Sequence, residues 1–393
     1  MTKGYFIQDN TDIEKQKFDV AKGLYSSGNY SGALKIYLDM VNTSYSHKLH
    51  YEIGRCYYKL NDFDNAELYF THSIGLESIK NPSYVFLGNI FYKRQDLYKA
   101  IEFWSQAYSY KPDDESVCLN LATSYFTKDM KFQSMYFYEK FLKYAKDKTS
   151  TYYLEIKKSI DEFKKIANDF YQKAQKSVVL GDNQTAIQAL EYAVKNYPLN
   201  FDMNFLLGKI YYEEKQYMQA LIYFKQALSI DTKSLDVLEK LSSVMLNLGD
   251  YTGAYCCLKR ILPLIINNQR EYLEIIKNLK QLEAGFDRQS HEGHLNWGNN
   301  YYNENNYHLA LFEYENCLII KGTLADELSD KIQKIKLFIN PEERIIKACF
   351  EKGLTLHSAG NFRQANKYFT KIMNLSESSS SDYKYAKARI VNV

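Results

Sequence analysis

At 393 residues the chain is long enough for two or three globular domains or for one array of small units. Apolar residues at 46% and charged residues at 25%, with only 5 Pro, exclude wholesale disorder and collagen-like structure. Fifty Lys and Arg against 47 Asp and Glu leave a formal charge of +3, too even for an electrostatic nucleic-acid binder, so helical-repeat RNA binding is disfavoured.

From the N-terminus onward the chain reads as helix pairs. Its first fifteen residues lack the apolar core of a secretory signal and carry acids where a transit peptide avoids them. A small residue after an aromatic-bearing turn then recurs at Ala33, Ala66, Ala100 and Ser134, stepping by 33 or 34 residues. The stretch from Thr149 to Leu180 holds no Gly or Pro and predicts one long rod. The anchors resume at Ala186, Ala220 and Ala254, each 34 residues apart. An added amphipathic helix is expected over Asn268–Ala284, ended near Gly285. Ala310 follows, then a third added helix from Leu324 to Ile339, closed by Asn340-Pro341-Glu342-Glu343. Ala365 is the ninth anchor. Ser378 to Ser381 reads as a short flexible link, and Tyr383 to Ile390 either as a capping helix or equally as the first helix of a further unit.

Around each anchor the same partners return. Four residues on stands a bulky residue: Tyr37, Phe70, Trp104, Leu190, Phe224, Leu258, Tyr314 or Phe369. Ahead of it lie glycines at Gly54, Gly88, Gly208, Gly298 and Gly353, which allow two backbones close approach. Gly28, Gly181, Gly249 and Gly360 fall where a positive φ ends a helix.

These residues resemble the signature of the tetratricopeptide repeat (TPR) family, W-x2-L-G-x2-Y, then A-x3-F, then P over 34 residues. The resemblance spans about Glu14 to Glu377. It implies an all-α solenoid: a right-handed superhelix of antiparallel helix pairs, with about nine repeats and three inserted or extended helices. The expected divisions are repeats 1–4 over 1–146, a long helix with repeats 5–7 over 147–266, irregular repeats 8–9 with extra helices over 267–377, and the link with its capping helix over 378–393.

Catalysis finds no support. There is no P-loop, no GxGxxG, no GxSxG and no HExxH. His291 and His294, with His308 beyond, are a poor metal pair and read as core or cap residues. Cys256 and Cys257 point about 100° apart on a helix, so one is expected to pack and the other to lie near the surface. Trp104 and Trp297 read as core. Charged side chains read as solvated helix faces. No run approaches the ~18 apolar residues of a membrane span, and six scattered cysteines suit reduced thiols. The expectation is a non-enzymatic cytoplasmic protein with no cofactor, no metal, no membrane contact and no nucleic-acid partner.

The resemblance implies that A helices line a concave groove that holds partner peptides or helices. Its groove-facing positions in the first four repeats hold Lys22, Tyr25, Arg55, Tyr58, Lys59, Asn89, Tyr92, Lys93 and Phe126. An aromatic ladder flanked by cations suits a partner with apolar and acidic residues, with Lys22 and Arg55 contacting its acidic or main-chain groups. The two-carboxylate clamp of chaperone-tail binders is missing: its positions hold Phe18, Lys22, Glu52, Pro82 and Phe86 when counted from repeat 1. The chain is thus expected to be a scaffold or adaptor for a protein partner. The alternative is an accessory or regulatory region of a larger enzyme, such as a glycosyltransferase or signalling protein.

Overall fold

A computed structural model describes residues 5–41, 46–78, 81–282, 288–319, 325–339 and 341–390, with side chains at all of these except 5–12, 288–291, 319 and 325–327. Among the described residues it contains 21 helices and no strand. None of these helices is long and apolar enough to cross a membrane. The chain forms two compact units, Met1–Ser124 with Pro341–Val393, and Tyr125–Asn340.

Each repeat is an A helix, a tight turn and a B helix. All nine anchors are buried, the eight alanines completely. The A-helix glycines are required by that packing. A Cβ on Gly88 would lie 2.4 Å from the Trp104 ring, and one on Gly54 or Gly208 would lie 2.7 Å from Phe70 or Phe224. Every A-to-B turn carries one residue with positive φ. Glycine supplies it at Gly28, Gly181, Gly249 and Gly360, whereas Asn61, Gln95, Asp129, Lys215 and Asn305 adopt it in the other repeats. The residue after that position often caps the B helix. Asp62, Asp96, Asp182, Asp250 and Asn361 each accept a hydrogen bond from a first-turn N–H.

The first unit holds α1 (Tyr5–Ser26), α2 (Tyr30–Val41), α3 (His47–Lys59), α4 (Phe63–Leu76), α5 (Ser83–Lys93) and α6 (Leu97–Tyr110). Helix α7 (Glu115–Thr127) contains the unit boundary. The same unit takes in α19 (Pro341–Ser358), α20 (Phe362–Leu375) and α21 (Ser381–Arg389). Lys371 pairs with Asp113 at 2.6 Å, and the Arg344 guanidinium donates to the Ser109 carbonyl, so α19 and α20 sit beside α6 and the turn after it. Helix α21 packs Ala386 into the core of Ala365, Phe369 and Ile372.

In the second unit follow α8 (Lys131–Tyr144), α9 (Thr151–Val179), α10 (Asn183–Asn196), α11 (Phe201–Glu213), α12 (Tyr217–Ile230), α13 (Leu235–Asn247) and α14 (Tyr251–Ile261). Then come α15 (Gln269–Leu282), α16 (Arg288–Asn303), α17 (Tyr307–Ile319) and α18 (Ala325–Phe338). The 29-residue α9 is the expected rod. Helices α15 and α18 are the two added helices, while Gly285, Leu324 and Asn340 lie outside the described residues.

Candidate functional site

In the first unit the A helices α1, α3 and α5 lie side by side and present aromatic and basic side chains together. The Arg55 guanidinium sits 4.1 Å from the centre of the Tyr25 ring and 5.6 Å from that of Tyr51. It also donates to Glu52 at 2.8 Å. Burial pushes the Tyr25 phenol up, and Arg55 pulls it back. One repeat along, Tyr58 packs edge-on against Phe63 and Phe86, and the Lys93 ammonium lies 5.0 Å above Phe63.

Asn89 is a polar hub of this face. It accepts from Trp104 Nε1 at 3.1 Å and from the Asn120 amide at 3.3 Å. Tyr92 stands over Trp104 with ring centres 5.7 Å apart and remains 49% exposed. Lys22, Lys59 and Lys93 are exposed, whereas Tyr25, Arg55, Tyr58 and Asn89 are half-buried. Eight of the nine expected residues therefore lie in this unit. Phe126, 66% exposed, belongs to the second.

A second constellation has no counterpart in the sequence reading. In the second unit Lys225 on α12 and Glu313 on α17 are buried charges whose Nζ and Oε1 lie 2.5 Å apart. Glu313 Oε2 lies 2.6 Å from Nδ1 of His294, whose Nε2 is 3.1 Å from Asp250 Oδ1. The Lys225 ammonium also covers the Trp297 ring at 3.7 Å. Burial opposes charge on His294, but its two carboxylates outweigh that and raise its pKa to about 9. Burial likewise opposes charge on Glu313, yet Lys225 and His294 hold it below the usual carboxylate range. Burial lowers Lys225, with Glu313 acting against it; the short contact and the indole face are the surroundings of an ammonium. A cleft of about 380 Å³ opens here, lined in part by Met218, Leu248 and Trp297.

The expectation of solvated charges therefore fails at Lys225 and Glu313. His294 is a core histidine with two ionic partners, while the His291 side chain lies outside the described residues. Cys256 and Cys257 are both buried, correcting the expectation that one lies near the surface: the face of α14 bearing Cys256 is covered too. Trp104 is core, whereas Trp297 is only half-buried because it borders the cleft. Among the described residues no group of three or more His, Cys, Asp or Glu is placed to hold a metal.

Family profiles described as tetratricopeptide repeat match residues 171–234 and 47–79. A curated relative, "BBSome complex member BBS4" of Bos taurus, is 27% identical over 107 residues, which is 27% of this chain and 20% of that protein. The chain thus spans about a fifth of that relative's length. A solved tetratricopeptide repeat protein from Parabacteroides merdae has 9% identity and a TM-score of 0.32, covering 69% of this chain and 98% of that one. The P58(IPK) TPR domain has 12% identity and a TM-score of 0.27, covering 96% and 97%. The profile matches fall on α3–α4 and on α9–α12, and the same buried anchors and left-handed turns recur in the remaining helix pairs. The chain carries tetratricopeptide repeats and has the architecture of a protein-interaction scaffold.

Proposed function

We propose that this chain is a non-enzymatic scaffold that holds an extended, acid-bearing segment of a partner protein along α1, α3 and α5. The observation that carries the reading is the pairing of cations with rings on consecutive A helices: Arg55 on Tyr25, and Lys93 on Phe63 beside Tyr58. Rings fixed by packing offer apolar area at little entropic cost, and exposed Lys22, Lys59 and Lys93 draw carboxylates toward it. Because Arg55 is already paired with Glu52, these lysines supply most of the attraction. The half-buried Arg55 offers a planar platform.

The test is selection of a random peptide library on the intact chain, followed by binding of the selected peptides to a Lys22→Glu/Arg55→Glu variant. Peptides combining acids with aromatic or aliphatic residues are expected, weakened about tenfold or more by the variant. Selected peptides that lack acids, or that bind the variant equally well, would refute the reading.

A further inference from the structure

Two apolar cores of the second unit meet at α17. One extends from α9 to α15 through Leu207, Val237 and Ile275, and the other lies within α16–α18 around Ala310, Tyr314 and Ile332. Helix α17 stands between them, placing Phe312 in the first core and Ala310 and Tyr314 in the second. The B helices α10 and α12 pack on the next A helix, whereas α17 also reaches back to α12 and α14. That backward contact combines apolar packing of Phe312 and Trp297 on the first core with a chain of charged side chains. Lys225 meets Glu313, His294 meets Asp250, and Arg260 meets Glu315 at 2.5 Å while lying 4.2 Å from the Phe312 ring centre. Helix α15 is inserted between α14 and α16, where regular repeats follow one another directly.

We propose that α16–α18 is a block docked on repeats 6 and 7 through this ionic joint, and that it parts from them with its own core intact when the joint loses charge. Sub-global opening of a separately cored block is the general route by which repeat proteins yield locally. Here the pH-sensitive part of the seam is ionic, with charges alternating from Lys225 through Glu313 and His294 to Asp250.

The direction of the pH response follows from His294. Its pKa rises from 6.5 to about 9 in the docked state, so its contribution is complete below 6.5 and is lost as pH rises through about 9. Glu313, held low, contributes above its ordinary 4.5 and loses that in acid. Lys225 works against His294 on the alkaline side, because burial favours its neutral form. Tyr301 and Cys257 also face the joint, and burial pushes both up, so they stay neutral through neutral pH. The His294 contribution is therefore read as the difference between wild type and His294→Gln.

Trp297 reports the joint directly, and it is one of only two tryptophans. Trp104 belongs to the other unit, so Trp104→Phe isolates the signal. In that full-length background, Trp297 emission is followed from about pH 7 to about pH 10 with acrylamide quenching and far-UV circular dichroism. The expected result is a red shift that develops as pH rises from about 6.5 toward about 9, with quenching raised about twofold and helicity retained. His294→Gln is expected to be red-shifted at neutral pH and flat thereafter. A second variant, Lys225→Met/Glu313→Leu/His294→Phe, replaces the buried charges together by apolar side chains and is expected to stay blue and flat. The proposal is overturned by a wild-type signal that is flat to the alkaline limit or moves only with loss of helicity. It is equally overturned if either variant titrates as wild type does.

Discussion

Lys225 and Glu313 meet at 2.5 Å with 2% and 0% of their side chains exposed. Desolvating each ion costs several kcal/mol, so such a pair lasts only where other partners complete it. His294 and Trp297 do so here. Glu313→Gln leaves Lys225 buried without its counter-charge and is expected to cost about 3–5 kcal/mol. Lys225→Met/Glu313→Leu/His294→Phe, which removes the buried charges together, is expected to be near neutral or stabilising, by up to about 4 kcal/mol. Urea melts of the two variants decide this.

The His294 contribution to stability carries a pH signature. Calorimetry of wild type and His294→Gln should differ most below pH 6.5, and the difference should close as pH passes about 9. A difference that is constant across this range would contradict protonation of His294 in the folded chain.

Two glycines make opposite physical points. Gly88→Ala drives a Cβ into Trp104 and is expected to cost about 1–3 kcal/mol by overpacking. Gly249 has open space around it but φ of 77°, so Gly249→Ala costs about 1–2 kcal/mol through backbone strain alone. Thermal melts check both. Trp104→Leu should relieve the first cost and leave the second untouched, since Leu190 accepts an alanine opposite it at Ala174.

Lys59 and Lys93 are exposed cations at the ends of α3 and α5. Lys59→Glu/Lys93→Glu is expected to change stability by only about 0.5 kcal/mol per site, while sharply reducing the salt-dependent part of peptide binding, of which Lys22 keeps a share. Melts and titrations at two salt concentrations separate these effects.

The repeats were legible because a two-helix unit must solve the same packing problem each time. Gly54 under Phe70 and Gly88 under Trp104 are one solution written twice, and Gly28 and Gly181 mark turns by the same logic. The non-glycine turns, such as Lys215 at φ 59°, carry no such mark because neighbouring structure imposes the conformation. The ionic joint was not legible as a whole, since Lys225 and Glu313 meet only after α15 alters the stacking. Glu313 nevertheless carried a signal. Three residues after the anchor the other repeats hold Ile36, Tyr69, Phe103, Phe137, Ala189, Tyr223, Cys257 and Tyr368. A lone acid in an otherwise apolar column is a buried charge awaiting a partner. The basic and aromatic residues of α1, α3 and α5 could be named from spacing, but the engagement of Arg55 by Glu52 could not.

Site-specific photo-crosslinking in the native lysate tests the scaffold reading most directly, with a photoreactive phenylalanine analogue placed at Tyr92 in the first unit or at Tyr192 in the second. Both side chains are similarly exposed, at 49% and 47%. A discrete protein adduct from Tyr92, lost when Lys59→Glu/Lys93→Glu is added and not matched from Tyr192, is the predicted result. Equal adducts from both positions, or adducts from Tyr192 alone, would contradict binding along α1, α3 and α5.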